Sequence, residues 1–122
     1  MIDPQTRKWL RLYGLFQPLS RLPLGLAYRA ADAIGRHDFR HLHDARTAIG
    51  NGLDSAFPRL AADPALRKDW IQRHFTMMSR EIMDTFVMER LHAGNSRQLV
   101  QLDPASLALM RETKREGRGT IL

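Results

Sequence analysis

The segment DPALRKDWIQRHFTMMSREIMDTF, residues 63–86, decides the fold because it carries the most regular apolar pattern in the chain. Asp63 followed by Pro64 is typical of a helix start, since Asp caps the first backbone N–H groups and Pro fits the first turn. Apolar residues then recur at steps of 4, 3, 4 and 4, the period of one helix face. The stripe that we predict to be buried consists of Ile71, Phe75, Met78, Ile82 and Phe86.

Two shorter helices are predicted before this segment. Ser20 can cap a helix that has Pro23 in its first turn. This helix is expected to end near Gly35, because glycine weakens helical structure. The second helix is expected to begin near Asp38 and to close at residues 57–58, since a residue before proline disfavours the helical conformation.

The residues after the long helix predict a change to β structure. Residues 92–96 read as a loop, residues 98–102 have β character, and a helix is expected from Asp103-Pro104 to Gly117. Thr120-Ile121-Leu122 then reads as the opening of a buried strand. We therefore predict a mainly α protein, with N-terminal helices followed by the first β-α-β of an incomplete α/β domain. A short edge strand at residues 120–122 is the alternative.

The composition indicates an anionic partner. The 122 residues carry a net charge of +6, and 16 of the 19 basic residues are Arg. Arginine makes planar, bidentate contacts with phosphate, so this balance favours nucleic acid or an anionic membrane surface. Cysteine is absent, which excludes a disulfide framework, a thiolate zinc site and a cysteine nucleophile.

The basic excess is concentrated near the N-terminus, beside apolar residues. Pro18 and Pro23 interrupt the apolar stretch 12–28, which as one helix would span about 25 Å and so would fall short of a hydrocarbon core. We predict instead an interfacial segment whose aromatic residues lie at headgroup depth. Its membrane-contact residues are predicted to be Arg7, Lys8, Trp9, Arg11, Leu12 and Phe16, and the same stretch contains Tyr13, Leu15 and Leu19. The alternative is that these residues form the core of a small helical domain.

The sequence offers no convincing catalytic or metal site. His37, His41 and His43 are spaced as ligands on a helix face, but a polar turn between helices explains them more simply. Glu81 and Asp84 are interpreted as part of a solvated face rather than an acid-base pair. The methionines of the long helix are interpreted as adaptable core or lipid-facing residues. We predict no catalytic residues, no metal and no cofactor within the chain.

Several short motifs occur in the order found in one bacterial enzyme family. They are Leu22-Pro23-Leu24-x-x-x-Tyr28, Ile34-Gly35-Arg36, Ala45-Arg46-x-Ala48-Ile49, Leu53-x-x-Ala56-Phe57-Pro58, Arg73-His74-Phe75, Leu99-Val100-x-Leu102 and Gly117-Arg118-Gly119-Thr120-Ile121-Leu122. Together they resemble the N-terminal half of the lipid A biosynthesis (lauroyl/myristoyl) acyltransferase family, in the lysophospholipid-acyltransferase-like superfamily. Gly52 stands where that family usually has Asn.

This resemblance implies a function in lipopolysaccharide biosynthesis, at the cytoplasmic face of the bacterial inner membrane. Enzymes of the family transfer a fatty acyl chain from acyl-carrier protein to a lipid acceptor hydroxyl. Their general base is a His with an acidic residue five positions on, and none of the five His here has one at that spacing. The resemblance therefore implies a fragment that is inactive alone. It also implies a membrane-proximal segment at 1–21, a helical region at 22–96 and the start of a truncated acyltransferase domain at 97–122.

Two further expectations concern binding partners. An unpaired strand at residues 120–122 predicts self-association through its edge. The alternative to the acyltransferase interpretation is a small basic helical module that binds nucleic acid or a protein partner. Nucleic acid is not expected, because basic and aromatic residues are not interleaved on one late recognition helix.

Overall fold

Helices form the regular elements in the part of the chain that the structure describes. This structure is a computed structural model, and it describes residues 2–96, 101 and 103–117. In chain order the elements are α1 (Pro4–Arg11), a π-helical turn (Leu12–Phe16), α2 (Gln17–Leu19), α3 (Leu24–His41), α4 (His43–Ala56), a 3₁₀ helix (Pro58–Ala62), α5 (Pro64–Met88) and α6 (Pro104–Arg115). The prediction of a mainly helical protein is confirmed.

The chain divides into two compact units, Met1–Arg90 and Leu91–Leu122. The first unit is organised around α3 and α5, which run antiparallel. Residues early in α3 contact residues late in α5: the Tyr28 hydroxyl donates to Asp84, and Arg80 donates to Asp32. The N-terminal helical segment, which consists of α1, the π-helical turn and α2, belongs to this unit and falls within the predicted membrane-proximal residues 1–21.

Small side chains let the backbones of α3 and α5 approach closely. Ala27, Ala31 and Gly35 are buried and recur at four-residue steps along one face of α3. A Cβ atom at Gly35 would lie 2.7 Å from the Cα atom of Thr76, well inside van der Waals contact. The absence of a side chain at this position therefore sets the separation of the two helices.

The buried face of α5 differs in part from the predicted stripe. Ile71, Phe75 and Phe86 are buried as predicted, but the Met78 side chain is 45% exposed and Ile82 is only half-buried. The central positions of the buried face are instead Ser79 and Met83. Ser79 is polar and so lies outside the predicted apolar stripe, yet its small side chain suits the close crossing with α3 better than Met78 would.

A second part of the core joins α3, α4 and α5. The rings of Phe39 and Phe75 meet edge to face, with centroids 6.1 Å apart, and Ile71 completes the buried cluster. Three half-buried side chains of α4 pack against it: Ala45, Ile49 and Leu53. The amphipathic pattern of α4 thus has the same cause as that of α5, which is burial of one face.

The predicted boundary between the two upstream helices was wrong. Helix α3 continues through Gly35 to His41, and α4 begins at His43. The Asp38 carboxylate does not cap a helix; it accepts a hydrogen bond from the Arg11 guanidinium. Ser20 likewise caps nothing in α3, because its hydroxyl donates to the Gln17 carbonyl oxygen at 2.7 Å. Gly35 and Asp38 thus have tertiary contacts in place of the local roles predicted for them, whereas the Ser20 hydroxyl bonds within its own segment.

The second unit contains α6, and its predicted start and end are both confirmed. The Asp103 carboxylate accepts a hydrogen bond from the Ser106 N–H at 3.0 Å, and Pro104 occupies the first turn. Gly117 follows the helix with a φ of 67°, a conformation that favours glycine. The strand predicted at 98–102 lies outside the described residues except for Gln101, and the strand predicted at 120–122 lies wholly outside them.

Candidate functional site

The N-terminal helix begins with a strong cap. The Asp3 carboxylate accepts hydrogen bonds from the Thr6 hydroxyl and from the Gln5 N–H, the latter at 2.8 Å, and Pro4 occupies the first helical turn. These bonds, chiefly the one from Thr6, lower the pKa of Asp3 below its usual value. The cap lets α1 form although none of its residues is buried.

A π-helical turn follows α1, and Pro18 explains it. A proline ring clashes with the carbonyl four residues earlier and offers no N–H to it, and here that carbonyl belongs to Gly14. Widening the helix relieves this conflict: the Gln17 N–H bonds to the Leu12 carbonyl, five residues back. The turn changes the helical phase, so residues after Leu12 face directions that a regular helix would not give them.

Three contacts anchor this N-terminal helical segment to the rest of the first unit. The Phe16 side chain is fully buried, with 0% exposure. The ring of Tyr13 meets the ring of Phe86 edge to face at a centroid distance of 5.7 Å. The Arg11 guanidinium donates to the Asp38 carboxylate, which is mostly buried and thereby gains a counter-charge.

The same segment also leaves large apolar side chains partly in solvent. The exposed fractions are 49% for Trp9, 56% for Leu10, 48% for Tyr13 and 41% for Leu15. The Trp9 and Tyr13 rings stack with centroids 5.2 Å apart, so the two rings form one continuous aromatic surface. We call these four residues the N-terminal apolar surface. Clustered, exposed apolar side chains of this kind are common on surfaces that contact proteins or membranes.

The N-terminal apolar surface continues into an open groove beside α3. Leu10 and Leu15 line one side of this groove, and Ala33 and Ile34 of α3 line the other. The groove has a volume of about 640 Å³, and Arg11, His37 and Asp38 complete its lining. Its largely apolar walls add to the apolar surface that is exposed to water, and such exposure is unfavourable.

Basic side chains are displaced around α1 from the exposed Trp9. At about 100° per residue, Lys8 is offset from Trp9 by about 100° and Arg7 by about 160°. Both basic residues are exposed. The result is an amphipathic helix with an aromatic face and a cationic face.

The predicted membrane-contact residues fall into two groups. Arg7, Lys8 and Trp9 are exposed, whereas Arg11 and Leu12 are half-buried and Phe16 lies in the core. Phe16 is therefore not part of the exposed surface, and Arg11 has a protein counter-charge. Leu10 is the contributor that the prediction missed, although its position next to Trp9 in an apolar run was a usable signal.

Of the candidate acid-base residues of α5, Asp84 contacts α3, whereas Glu81 is exposed. The Tyr28 hydroxyl donates to the Asp84 carboxylate, and this bond, followed by partial burial, raises the pKa of Tyr28 to about 12. Arg80 binds Asp32 in a bidentate pair at 2.6 and 2.8 Å, which lowers the pKa of that carboxyl group. Each contact joins α3 to α5, so these groups fasten the helix pair together.

The histidine cluster is divided between two helices. The rings of His37 and His41 lie 4.4 Å apart at the end of α3, and His43 opens α4 with its Nδ1 atom 2.7 Å from Arg46 Nη2. Within residues 2–96, 101 and 103–117, no group of three or more His, Cys, Asp or Glu side chains is arranged to hold a metal ion.

None of the helices within the described residues is both long enough and apolar enough to cross a membrane. No protein-family model, curated protein or solved structure matches the chain.

Proposed function

We propose that this chain binds the surface of an anionic membrane through its N-terminal helical segment. The observation that carries the proposal is the exposed aromatic surface of Trp9 and Tyr13, continued by Leu10 and Leu15, on a helix that bears Arg7 and Lys8 away from Trp9. Aromatic side chains favour the depth of lipid headgroups, and basic side chains on the same helix attract anionic lipids.

The helix lies in the plane of the interface in this proposal, with the N-terminal apolar surface toward the acyl chains. Arg7 and Lys8 reach up to the headgroups with their aliphatic stems along the apolar surface. Each basic group near an anionic surface contributes about 1 kcal/mol. Arg11 contributes less, because Asp38 already neutralises it. Binding is therefore expected to weaken as the salt concentration rises.

We further propose that this membrane-binding region belongs to an acyltransferase of the lipid A biosynthesis type, which acts on acyl-carrier protein and a lipid acceptor. The ordered motifs from Leu22-Pro23 to Gly117-Arg118-Gly119 support this assignment. In this proposal, strands at 98–102 and 120–122 open the α/β part of that enzyme. The chain itself is expected to transfer no acyl group from an acyl-carrier-protein donor, since none of its histidines has the His-x-x-x-x-Asp/Glu spacing.

Sedimentation with vesicles tests the membrane proposal. The chain is expected to pellet with vesicles that contain anionic lipid and to remain in the supernatant with neutral vesicles. The double substitution Trp9→Ser and Leu10→Ser should abolish binding, whereas Leu109→Ser, at an exposed apolar position on α6, should not affect it. Equal and negligible pelleting with both kinds of vesicle would refute the proposal.

Charge-neutralising variants measure the electrostatic contribution to membrane binding. Arg7→Gln combined with Lys8→Gln should weaken binding and flatten its dependence on salt. Arg29→Gln combined with Arg40→Gln is the matched control, because it removes two exposed positive charges from α3. If this control were to weaken binding as much as the Arg7 and Lys8 variant, the cationic face of α1 would not be the site of lipid contact.

A further inference from the structure

A second concave surface lies on the first unit, where α4 and the start of α5 meet the end of α3. This pocket has a volume of about 400 Å³. Its apolar lining consists of Phe39, Pro64 and Ile71, of which Phe39 and Ile71 belong to the core. Three cationic side chains surround them, namely Arg46, Arg67 and Lys68. We call it the α4–α5 pocket, and it shares no lining residue with the groove beside α1.

Protein contacts hold the Arg46 guanidinium in place at this pocket. Its Nη1 atom donates to the Phe39 carbonyl oxygen at 3.1 Å, and its Cζ atom lies 5.4 Å from the centroid of the Phe39 ring. Its Nη2 atom lies 2.7 Å from His43 Nδ1. These contacts use fewer N–H donors than a guanidinium has, so donors remain for a ligand.

Arg67 is held from the other side. Its Nε and Nη2 atoms donate to the two oxygens of the Asp54 carboxylate, at 2.8 and 2.9 Å. Its guanidinium lies across Gly50 of α4, where an added Cβ atom would come within 2.4 Å of Nη2. The glycine therefore leaves the space that this guanidinium occupies.

The charges at the pocket do not cancel. Three cationic groups and the single carboxylate bound to them leave an excess of two positive charges. Three other acidic residues are near in sequence. Asp63 accepts from the Leu66 N–H at 3.0 Å, Asp44 is in the first turn of α4, and Asp69 pairs with Arg73 at 2.7 Å. None of them lines the pocket. An anion with about two negative charges would complement this excess.

We propose that the α4–α5 pocket binds a phosphate monoester. Such a group carries a charge of about −1.5 to −2 at neutral pH and presents oxygens that accept from two guanidinium groups and an ammonium group. The Thr47 hydroxyl donates to the His43 carbonyl oxygen at 3.0 Å, so the basic side chains supply the donors. The pocket is larger than a phosphate ion, and the apolar part of the ester would lie against Phe39 and Ile71.

A titration with phenyl phosphate tests the proposal. Phenyl phosphate is added to the isotope-labelled chain at neutral pH and constant ionic strength, and backbone amide shifts are followed by NMR spectroscopy. Saturable shifts are expected at Thr47, Arg67 and Lys68. Shifts that grow linearly with concentration, or that sodium chloride reproduces at equal ionic strength, would overturn the proposal.

Two variants of α4 make a matched pair. Gly50→Ala should displace the Arg67 guanidinium and weaken phenyl phosphate binding about tenfold, the effect of losing one charge-assisted contact. Gly52→Ala should leave the affinity unchanged, because no atom lies within 4 Å of the added Cβ. Lys68→Gln removes an exposed charge without this steric change and should also weaken binding. Equal affinities for the Gly50→Ala and Gly52→Ala variants, with wild-type affinity for Lys68→Gln, would refute the site.

Vesicles distinguish a lipid headgroup from a soluble ester. Vesicles with phosphatidic acid, a lipid phosphate monoester, are compared with vesicles of equal charge density made with phosphatidylglycerol, a diester. These are tested in the Trp9→Ser and Leu10→Ser background, which removes the proposed membrane-binding surface. If the chain prefers phosphatidic acid vesicles and Lys68→Gln abolishes this preference, the phosphate monoester is a lipid headgroup. If the chain binds phenyl phosphate saturably but shows no preference for phosphatidic acid vesicles, the monoester is a soluble compound. If the Trp9→Ser, Leu10→Ser variant no longer binds vesicles but still binds phenyl phosphate, this result would support the pocket independently of the proposed membrane function.

Discussion

Gly35 is the position where a single methyl group should do most damage to the first unit. Its added Cβ atom would lie 2.7 Å from Thr76 Cα, 2.9 Å from the Phe75 carbonyl oxygen and 3.0 Å from Thr76 N. All three are backbone atoms of α5, so no side-chain rotation can relieve the contact. Normal carbon–carbon contact is about 3.5–4.0 Å, and therefore the two helices would have to separate by roughly 1 Å.

The expected change in the free energy of unfolding of Gly35→Ala results from two opposing effects. Overpacking of a well-packed interface typically costs about 1–3 kcal/mol, while replacing Gly by Ala within a helix favours folding by about 1 kcal/mol. Gly25→Ala is the matched control, because Gly25 belongs to the same helix and its added Cβ meets no atom within 4 Å. The control gains the helical preference alone. The free energies of unfolding of the Gly35→Ala and Gly25→Ala variants should therefore differ by about 1–3 kcal/mol, with Gly35→Ala the less stable.

Urea denaturation followed by circular dichroism measures both variants against the original chain. Gly25→Ala should raise the midpoint, and Gly35→Ala should lower it relative to Gly25→Ala. A shift of 1 kcal/mol corresponds to about 4–8 °C in Tm for a domain of 60–100 residues, so a thermal scan gives an independent reading. If the two variants were equally stable, the close contact of α3 with α5 at Gly35 would not exist.

Three further predictions concern the same helix pair and its polar contacts. Phe75→Ala should lower the free energy of unfolding by about 3–5 kcal/mol in urea denaturation, because Phe75 is buried against Phe39; a loss below about 1 kcal/mol would contradict this core. An absorbance titration should show a tyrosine ionisation near pH 12 that is absent in the Tyr28→Phe variant. Because the pKa of Tyr28 is raised from 10.0 to about 12 in the folded protein, the stability that Tyr28 contributes is present below pH 10 and is lost as the pH rises through 12. Hydrogen bonds from Arg80 and Arg67 lower the pKa values of Asp32 and Asp54, so the stability that these carboxylates contribute is present above about pH 4 and is lost as the pH falls. In the double variant Asp32→Asn, Asp54→Asn, the free energy of unfolding should therefore fall less steeply with decreasing pH.

Helix starts that depend on neighbouring residues were predictable from the sequence. Asp63-Pro64 and Asp103-Pro104 each place a capping carboxylate before a proline, and in both cases the carboxylate accepts a backbone N–H at 3.0 Å. Such a cap involves only residues within one turn, so it can be inferred without knowledge of the fold.

The α3–α4 boundary could not be predicted in the same way. The local sequence predicts a helix end at Gly35 and a helix start near Asp38, because those are the usual local roles of these residues. Their actual roles depend on distant partners: Gly35 admits the backbone of α5, and Asp38 accepts from Arg11. The same reasoning explains Ser79, whose burial follows from the crossing of two helices and not from its polarity.

The candidate site was predictable in kind but not in every residue. Charge and aromatic content near the N-terminus indicated Arg7, Lys8 and Trp9, and all three are exposed. The π-helical turn changed the outcome for Phe16, because it alters the helical phase after Leu12. Pro18 is visible in the sequence as the cause of a distortion. The direction in which each later side chain then points is set by packing.

The anchoring contacts determine how the N-terminal apolar surface can act. Detaching α1 from the first unit would leave the mostly buried Asp38 carboxylate without the Arg11 guanidinium and would bring Phe16 into water. Both changes are unfavourable, since a buried charge needs a partner and an exposed phenyl ring loses its burial energy. The proposed membrane-binding helix therefore moves with the helix pair instead of unfolding from it. For the same reason, Arg11 supports the position of the surface, while Arg7 and Lys8 are the basic residues of α1 left to meet anionic lipid.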